Sequence, residues 1–266
     1  MANNITNIIT IQGVSDERLA EILLVICRDD MDIAQNTIDF NKIIPMPKEL
    51  DVECGSRSQR ALEMYRSFEQ EVRVVTMLAL SEPNTSGRTH EAAQAILEKY
   101  EKLTKDDPGL LKFGEQLNKN LLQYGAPTWY EWRSENWGSK WNSYGYEDAS
   151  SHTYDNELKF FSAWGAATPV IEQLSRMFPD ATFQHQWADE DIGANVGDVT
   201  YSDGAYVEWD VPMDFSKEAY EMAAEIMGGN LTECGFIYSE SEGNYIYDED
   251  MHEGDEPEGN GGMNLS

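Results

Sequence analysis

Five residues between Trp137 and Trp164 have the types and spacing that could do chemistry. In the run W-Y-E-W-R-S-E-N-W-G-S-K-W, residues 129–141, stand four of the chain's seven tryptophans. Trp137 and Trp141 offer aromatic faces, Lys140 an anion contact, and Asn136 and Asn142 amide hydrogen bonds. Gly138 allows close backbone approach, and Trp164, ending the next apolar segment, supplies a third wall. Trp137, Lys140, Trp141, Asn142 and Trp164 together have the chemistry of a pocket for a peptide or a small ligand such as a nucleotide signal. The same residues also admit a mechanical reading, in which large aromatics lock a crossover loop onto a sheet.

A second set is acidic. The formal charge is −30, and it is uneven: from Asp180 onward there are 22 acidic residues and one base, Lys217, or −21, leaving −9 for the first 179 residues. A surface this negative repels nucleic acid phosphates and attracts a basic protein surface. Glu208 and Asp210 fall on an expected strand. Glu218, Glu221 and Glu225 fall at i, i+3 and i+7 on an expected helix, where they line one face. Carboxylates spaced along rigid elements can imitate a phosphate backbone. A solvated helix face has the same pattern.

Catalytic and metal chemistry finds little support. The four histidines are isolated in sequence, and neither H-E-x-x-H nor a His/Cys cluster is present. Asp189-Glu190-Asp191 could bind a cation but lacks the D-x-[DN]-x-[DN]-G loop of a calcium site, and reads as a solvated acidic loop. No phosphate-cradling G-x-x-x-x-G-K-[ST], dinucleotide G-x-G-x-x-G or G-x-S-x-G motif appears, so no cofactor and no enzyme activity is expected. Cys27, Cys54 and Cys234 are widely spaced and odd in number, which suits free thiols in a reducing compartment. Met1-Ala2-Asn3-Asn4 has no signal-peptide character and no apolar run reaches membrane-spanning length, so the expectation is a soluble protein of the cytoplasm.

The elements that must position these residues can be read in order. Ile5 to Ile11 is β-branched and reads as a strand. Ser15 then caps a helix whose apolar face is Leu19, Ile22, Leu23 and Ile26. Thr37 to Ile44 reads as a short strand or extended segment before Pro45-Met46-Pro47. Residues 56–124 are helical, with breaks at 81–84 and 106–109 and Thr89 as a possible cap. Glu157 to Trp164 is a strand. A helix follows with Thr168 as N-cap, Pro169 at N1 and Val170, Ile171, Leu174 and Phe178 buried. Ala181 to Trp187 is the next strand. A hairpin turns at Ser202-Asp203-Gly204, Ser216 to Met227 is a helix, and residues 236–238 and 245–247 pair as short strands. Two β-α-β units around a helical insertion predict an α+β, ferredoxin-like antiparallel sheet with helices on one face. The boundaries are 1–55 and 125–215 for the two halves, 56–124 for the insertion, 216–247 for a carboxy-terminal helix and strands, and 248–266 for an acid- and glycine-rich tail of disordered composition.

Phe40-Asn41-Lys42-Ile43-Ile44-Pro45-Met46-Pro47-Lys48-Glu49-Leu50 resembles the F-[ND]-x-[IL]-[IV]-P-M-P-x-E-L segment of the YubB-like proteins of phages and conjugative plasmids. Glu135 to Asn142 with Tyr130, the strand ending Ser162-Ala163-Trp164, and Pro169 to Ser175 are similar to further segments of that family, in the same order. The resemblance covers residues 1–50 and 124–210. It implies the ferredoxin-like fold and a mobile-element setting, and it implies no catalytic residues. The chain departs from the family pattern after Trp164, where Gly165-Ala166-Ala167-Thr168-Pro169 replaces a Pro-Pro. Charge and setting together lead to the expectation of a non-enzymatic, mobile-element inhibitor of a host defence protein in the host cytoplasm. It would dock an acidic face on that protein's basic surface, including by nucleic-acid mimicry, with no direct nucleic-acid or membrane contact. The alternative expectation is a binder or sponge for a small nucleotide signal.

Overall fold

In a computed structural model, residues 3–27, 38–81, 86–145 and 156–248 are described. Two compact units form: one from Met1–Ile44 with Gly138–Ser266, the other from Pro45–Trp137.

The first unit is built on a five-stranded sheet. In chain order its strands are β1 (Asn4–Gln12), β2 (Glu157–Ala163), β3 (Thr182–Asp189), β4 (Gly197–Ser202) and β5 (Ala205–Asp210), and in space they run β2-β1-β3-β4-β5. β1 is antiparallel to both β2 (Ile5↔Ser162) and β3 (Ile5↔Asp189). β2 and β3 therefore run parallel with β1 between them, and the helix joining them, α7 (Thr168–Met177), completes a split β-α-β unit. The ferredoxin-like α+β expectation holds. On β1 the odd residues Ile5, Ile9 and Ile11 are buried with Leu158, Phe160 and Phe183 of its neighbours. The core is completed by Ile22 and Ile26 of α1 (Asp16–Ile26) and by Val170, Ile171 and Leu174 of α7. Each such side chain contributes about 1.5–3 kcal/mol by leaving water. Arg18 ties α1 to the turn between α7 and β3 with two hydrogen bonds to the Asp180 carboxylate, at 2.7 and 3.1 Å.

The even residues of the central strands face the other way. Ile8 and Ala188 meet Val196 and the Ala219, Ala223 and Ile226 stripe of α8 (Lys217–Met227), so α8 roofs part of the second face. Its Ser216 cap accepts a bond from the Ala219 N–H, and Gly228 ends it in the left-handed region. The small strands β6 (Phe236–Ser239) and β7 (Asn244–Tyr247) pair as expected, Ile237 opposite Ile246. The β4–β5 hairpin turns on Asp203 and Gly204, both at positive φ (49° and 74°), the conformation that a two-residue turn needs to match strand twist.

Two local expectations need correction. The segment Thr37 to Ile44 contains no strand among its described residues. After the single bridge Cys27↔Ile38, Asp39 caps a one-turn helix, α2 (Phe40–Ile43), because its side chain accepts from the Asn41 N–H. The edge of β2 is met instead by one bridge, Tyr144↔Phe161. Thr168 is the first helical residue of α7 and not its cap. The cap position is Ala167, at φ 52°, and Glu172 pairs with Arg176. The acidic tail beyond residue 248 lies outside the described residues.

The second unit is helical: α3 (Ser56–Ser81), α4 (Ser86–Leu103), α5 (Leu110–Tyr124) and α6 (Trp129–Asn136). It takes in more than residues 56–124, since Pro45 and α6 belong to it. α3 and α5 pack around Ala61, Leu110 and Leu117, with Gly114 set against the Ala61 carbonyl so tightly that no Cβ fits. Thr89 is inside α4 and does not cap it.

Candidate functional site

The tryptophan run divides between the two units. Its first part is a helix, where the sequence suggests a loop. Thr128 caps α6, accepting from the Tyr130 N–H and donating to the Glu131 carboxylate. The signature T-x-x-E was present in the sequence. Arg133 stands four residues from both Trp129 and Trp137, so the helix period stacks the three: the guanidinium lies 5.0 Å from the centroid of each ring. Its Nε–H also donates to Met46 Sδ at 3.3 Å, and burial lowers the Arg133 pKa. Trp137 is buried and packs edge-on to Trp132 at 5.9 Å. It is therefore a core residue of the helical unit and not the wall of an open pocket.

Gly138 onward belongs to the sheet unit. Here the loop is fastened to β2 and to the turn after it. The Lys140 N–H donates to the Ala163 carbonyl, the Ala163 N–H to Ser139 Oγ, and Ser139 Oγ to the Trp141 carbonyl. A Cβ on Gly165 would strike the Gly138 carbonyl, and Gly138 itself, at φ 66°, has Pro169 Cδ against it. Two backbones thus interlock at glycines. Asn142 is spent on the framework. Its Nδ2 donates to Asp39 Oδ1 at 2.7 Å, and its Oδ1 accepts from the Phe40 and Ser143 N–H groups.

The structure does bring Lys140, Trp141 and Trp164 together. The ammonium lies 5.0 Å from the Trp141 centroid and 4.5 Å from that of Trp164. Both rings remain partly exposed. Trp164 holds φ 70°, a costly conformation for a bulky residue, and its N–H is fixed by the Asn3 carbonyl. The arrangement is an aromatic clamp, and the cation within it is the protein's own.

Beneath this loop runs a buried polar chain that the sequence did not disclose. Asn7 Nδ2 donates to the Ile5 carbonyl and to Ser162 Oγ, which donates to the Gly165 carbonyl. Because the Asn7 amide nitrogen faces a carbonyl, its Oδ1 must accept, and His185 Nε2, 2.9 Å away, must carry the proton. Full burial lowers the His185 pKa to about 3, so the ring is neutral and Nδ1 presents a lone pair.

All five partner-binding candidates are exposed on regular structure: Glu208 and Asp210 on β5, and Glu218, Glu221 and Glu225 on one face of α8. Lys217 reaches Glu221 at 3.6 Å, a weak surface pair. The structure adds aromatics that sequence reasoning had not selected. A bulge at Val207 shifts the β4–β5 register, so Tyr206 and Trp209 share a face, ring centroids 5.9 Å apart, and Trp209 is 68 % exposed. The alternation of Tyr, Val and Trp around Glu208 and Asp210 was the available signal.

The acidic loop Asp189-Glu190-Asp191 is engaged internally. Asp189 accepts from Asn3, Asn195 and the Asp191 N–H, and Glu190 accepts from Asn4. Among the described residues no group of three or more His, Cys, Asp or Glu is placed to hold a metal ion. Burial pushes the Cys27 thiol up to about 11. No helix among the described residues is long and apolar enough to cross a membrane.

Residues 140–230 match the model of the family described as the ferredoxin-like domain in Api92-like protein. That span holds β2, α7, β3, β4, β5 and α8, in agreement with the observed topology. It bears on the fold, not on the YubB-like name or a mobile-element setting. The crystal structure of a protein api92 from Yersinia pseudotuberculosis is similar at 14 % identity over 80 % of this chain and 99 % of its own, with a TM-score of 0.35. No curated protein matches the chain.

Proposed function

We propose that this protein is a non-enzymatic binding protein that docks an acidic face onto the basic surface of another protein. The observation that supports it is the placement of carboxylates. Glu208, Asp210, Glu218, Glu221 and Glu225 are exposed on a strand and a helix, where their spacing is held by hydrogen-bonded backbone. Fixed charges of one sign steer a partner of opposite sign and set its register, which a floppy acidic tail cannot do. In the mobile-element setting that the YubB-like resemblance implies, the partner is a host defence protein and the masked surface is its nucleic-acid site. The test is capture of partners from host extract by wild type and by the triple variant Glu218→Lys, Glu221→Lys, Glu225→Lys, each at low and high ionic strength. Partners held by wild type at low salt and lost in either other condition support the reading. A partner indifferent to both salt and charge reversal rejects it.

The second reading, a nucleotide-sized ligand at Lys140, Trp141 and Trp164, is favoured by one observation: Trp164 keeps a strained backbone that leaves its ring partly exposed. It ranks lower because Lys140 already stands over both rings a ligand would stack on. Lys140→Ala should strengthen or spare binding of a planar ligand in a ring-stacking site and abolish binding of an anion held by the ammonium. No binding of nucleotides by wild type ends this reading.

A further inference from the structure

We infer that the free edge of β5 is a strand-docking site, and that its occupant is an extended segment of another protein in which basic and apolar residues alternate. This deepens the acidic-docking reading and rests on it.

Among the described residues the edge is open, and it is apolar on one face. β5 closes the sheet order, and all six of its residues are exposed. Tyr206 and Trp209 continue the face on which Val199 and Tyr201 of β4 are buried, since Val199 pairs with Trp209 and Tyr201 with Tyr206. Beyond the strand Met213 is also exposed. Edge strands of this length template pairing with other chains unless guarded, commonly by lysine or by a proline within the strand. β5 has neither lysine nor proline, Pro212 lying beyond its end; what guards it is the Val207 bulge and the carboxylates of Glu208 and Asp210, which repel acidic strands and not basic ones.

The other face of the same edge selects the occupant by charge. Asp198 and Asp210 are direct cross-strand partners, and Glu208 lies opposite Thr200 on that face. Like charges directly opposite each other destabilise a strand pair. Asp198 Oδ2 is compensated by the side-chain amides of Gln184 and Gln186, at 2.8 and 2.9 Å, but these groups carry no charge. An added strand with Lys or Arg on this face would neutralise the carboxylates, and its apolar residues on the alternate face would cover Trp209. A second copy of β5 would instead bring Glu208 and Asp210 against their own equivalents. The chain's segment after residue 248 is itself acidic and would be repelled. Charge therefore disfavours both a second copy and the chain's own terminal segment.

The experiment uses the full chain and three synthetic peptides long enough to span β5: alternating lysine–valine, the same peptide with proline at alternate valines, and alternating glutamate–valine. Binding is read by calorimetry at low ionic strength. The lysine–valine peptide should bind. The proline peptide has equal charge but cannot complete a ladder, and should bind roughly tenfold more weakly or worse, as should the glutamate peptide. Trp209→Ser, and separately Glu208→Lys with Asp210→Lys, should each weaken the lysine–valine peptide by about tenfold while leaving the melting temperature nearly unchanged. Equal binding of the proline peptide overturns strand docking but leaves acidic docking standing. Failure of the lysine–valine peptide to bind also overturns strand docking, while the triple α8 variant still decides the broader reading. A wild-type dimer in sedimentation that Trp209→Ser dissolves assigns the edge to a second copy and overturns the proposed occupant.

Discussion

Two regions of the sheet unit expose tryptophan, and they are finished differently. At the loop after β2, Trp141 and Trp164 share Lys140, and the backbone beneath them is pinned by the Gly138–Gly165 contact and by Ser139. On β5, Trp209 is the more exposed ring, its aromatic neighbour is Tyr206, and the charges beside it are carboxylates. The first region satisfies its aromatic faces from within the chain. The second presents aromatic faces and negative charge together, which a cationic, apolar segment complements. An exposed tryptophan thus stands on a pinned loop in one place and on the proposed docking edge in the other, and the sign of the neighbouring charge separates the two.

The largest test of this contrast is acidification, because His185 is hydrogen-bonded through Asn7 and Ser162 to Gly165 beneath the pinned loop, whereas it meets β5 only across Val199. The folded pKa of His185 lies near 3, below the ordinary value of 6.5. The unfolded chain therefore binds more protons between those values. The stabilising contribution is complete above pH 6.5 and is lost as pH falls toward 3. A tenfold change in proton affinity corresponds to about 1.4 kcal/mol, so the loss is on the order of 5 kcal/mol over that window. Denaturant unfolding at stepped pH should show this slope, and His185→Gln, which keeps a donor to Asn7, should flatten it. The carboxylates lowered by arginine, Asp107 and Asp180, act in the same direction but only from the ordinary carboxylate range downward, so a slope absent above that range would count against His185. Next in size is Gly165→Ala. The new Cβ meets a main-chain oxygen that has no rotamer to escape through. The cost should be about 3 kcal/mol by urea unfolding. Gly229→Ala, in open space, should change stability by no more than about 0.5 kcal/mol.

The fold was legible where a single periodicity governs. The odd residues of β1, the stripes of α7 and α8, and the Asp203-Gly204 turn all say locally what the structure does globally. Thr37 to Ile44 was not, because Asp39 offers its carboxylate to the Asn41 N–H and the local cap outweighs β-branched propensity. The second face of the sheet was also hidden. Only pairing register puts Ile8 and Ala188 diagonally on one face under α8. Of the proposed pocket, Lys140, Trp141 and Trp164 converge, whereas Asn142 and Trp137 were absorbed by the framework of their own units. Composition flags an aromatic cluster but cannot say which ring faces water. The Arg133 stack, by contrast, was written in plain i, i+4 spacing.

Lys140→Ala removes the internal cation from the first region. Exposed cation–aromatic contacts contribute about 0.5–1 kcal/mol each, so stability should fall by about 1–2 kcal/mol. Tryptophan emission should shift as Trp141 and Trp164 change surroundings, and docking of basic peptides should be unaffected. A loss of docking on this substitution would erase the distinction between the two regions.

Trp209→Ser should have the smallest effect on folding and the clearest on partners. The ring is exposed and fills no core space, so its removal should alter stability by no more than about 0.5 kcal/mol. If the indole rests on β5 merely as a structural aromatic against Tyr206, the variant loses stability and leaves peptide binding untouched. If the edge exists to receive a strand, the reverse holds: unfolding curves of variant and wild type superimpose, while affinity for the lysine–valine peptide drops. The same pair of measurements on Trp164→Ser should give the opposite pattern, because there the ring already has its cation. Opposite patterns at two exposed tryptophans of one chain would establish that the neighbouring charge, not the exposure of the ring, decides which one meets a partner.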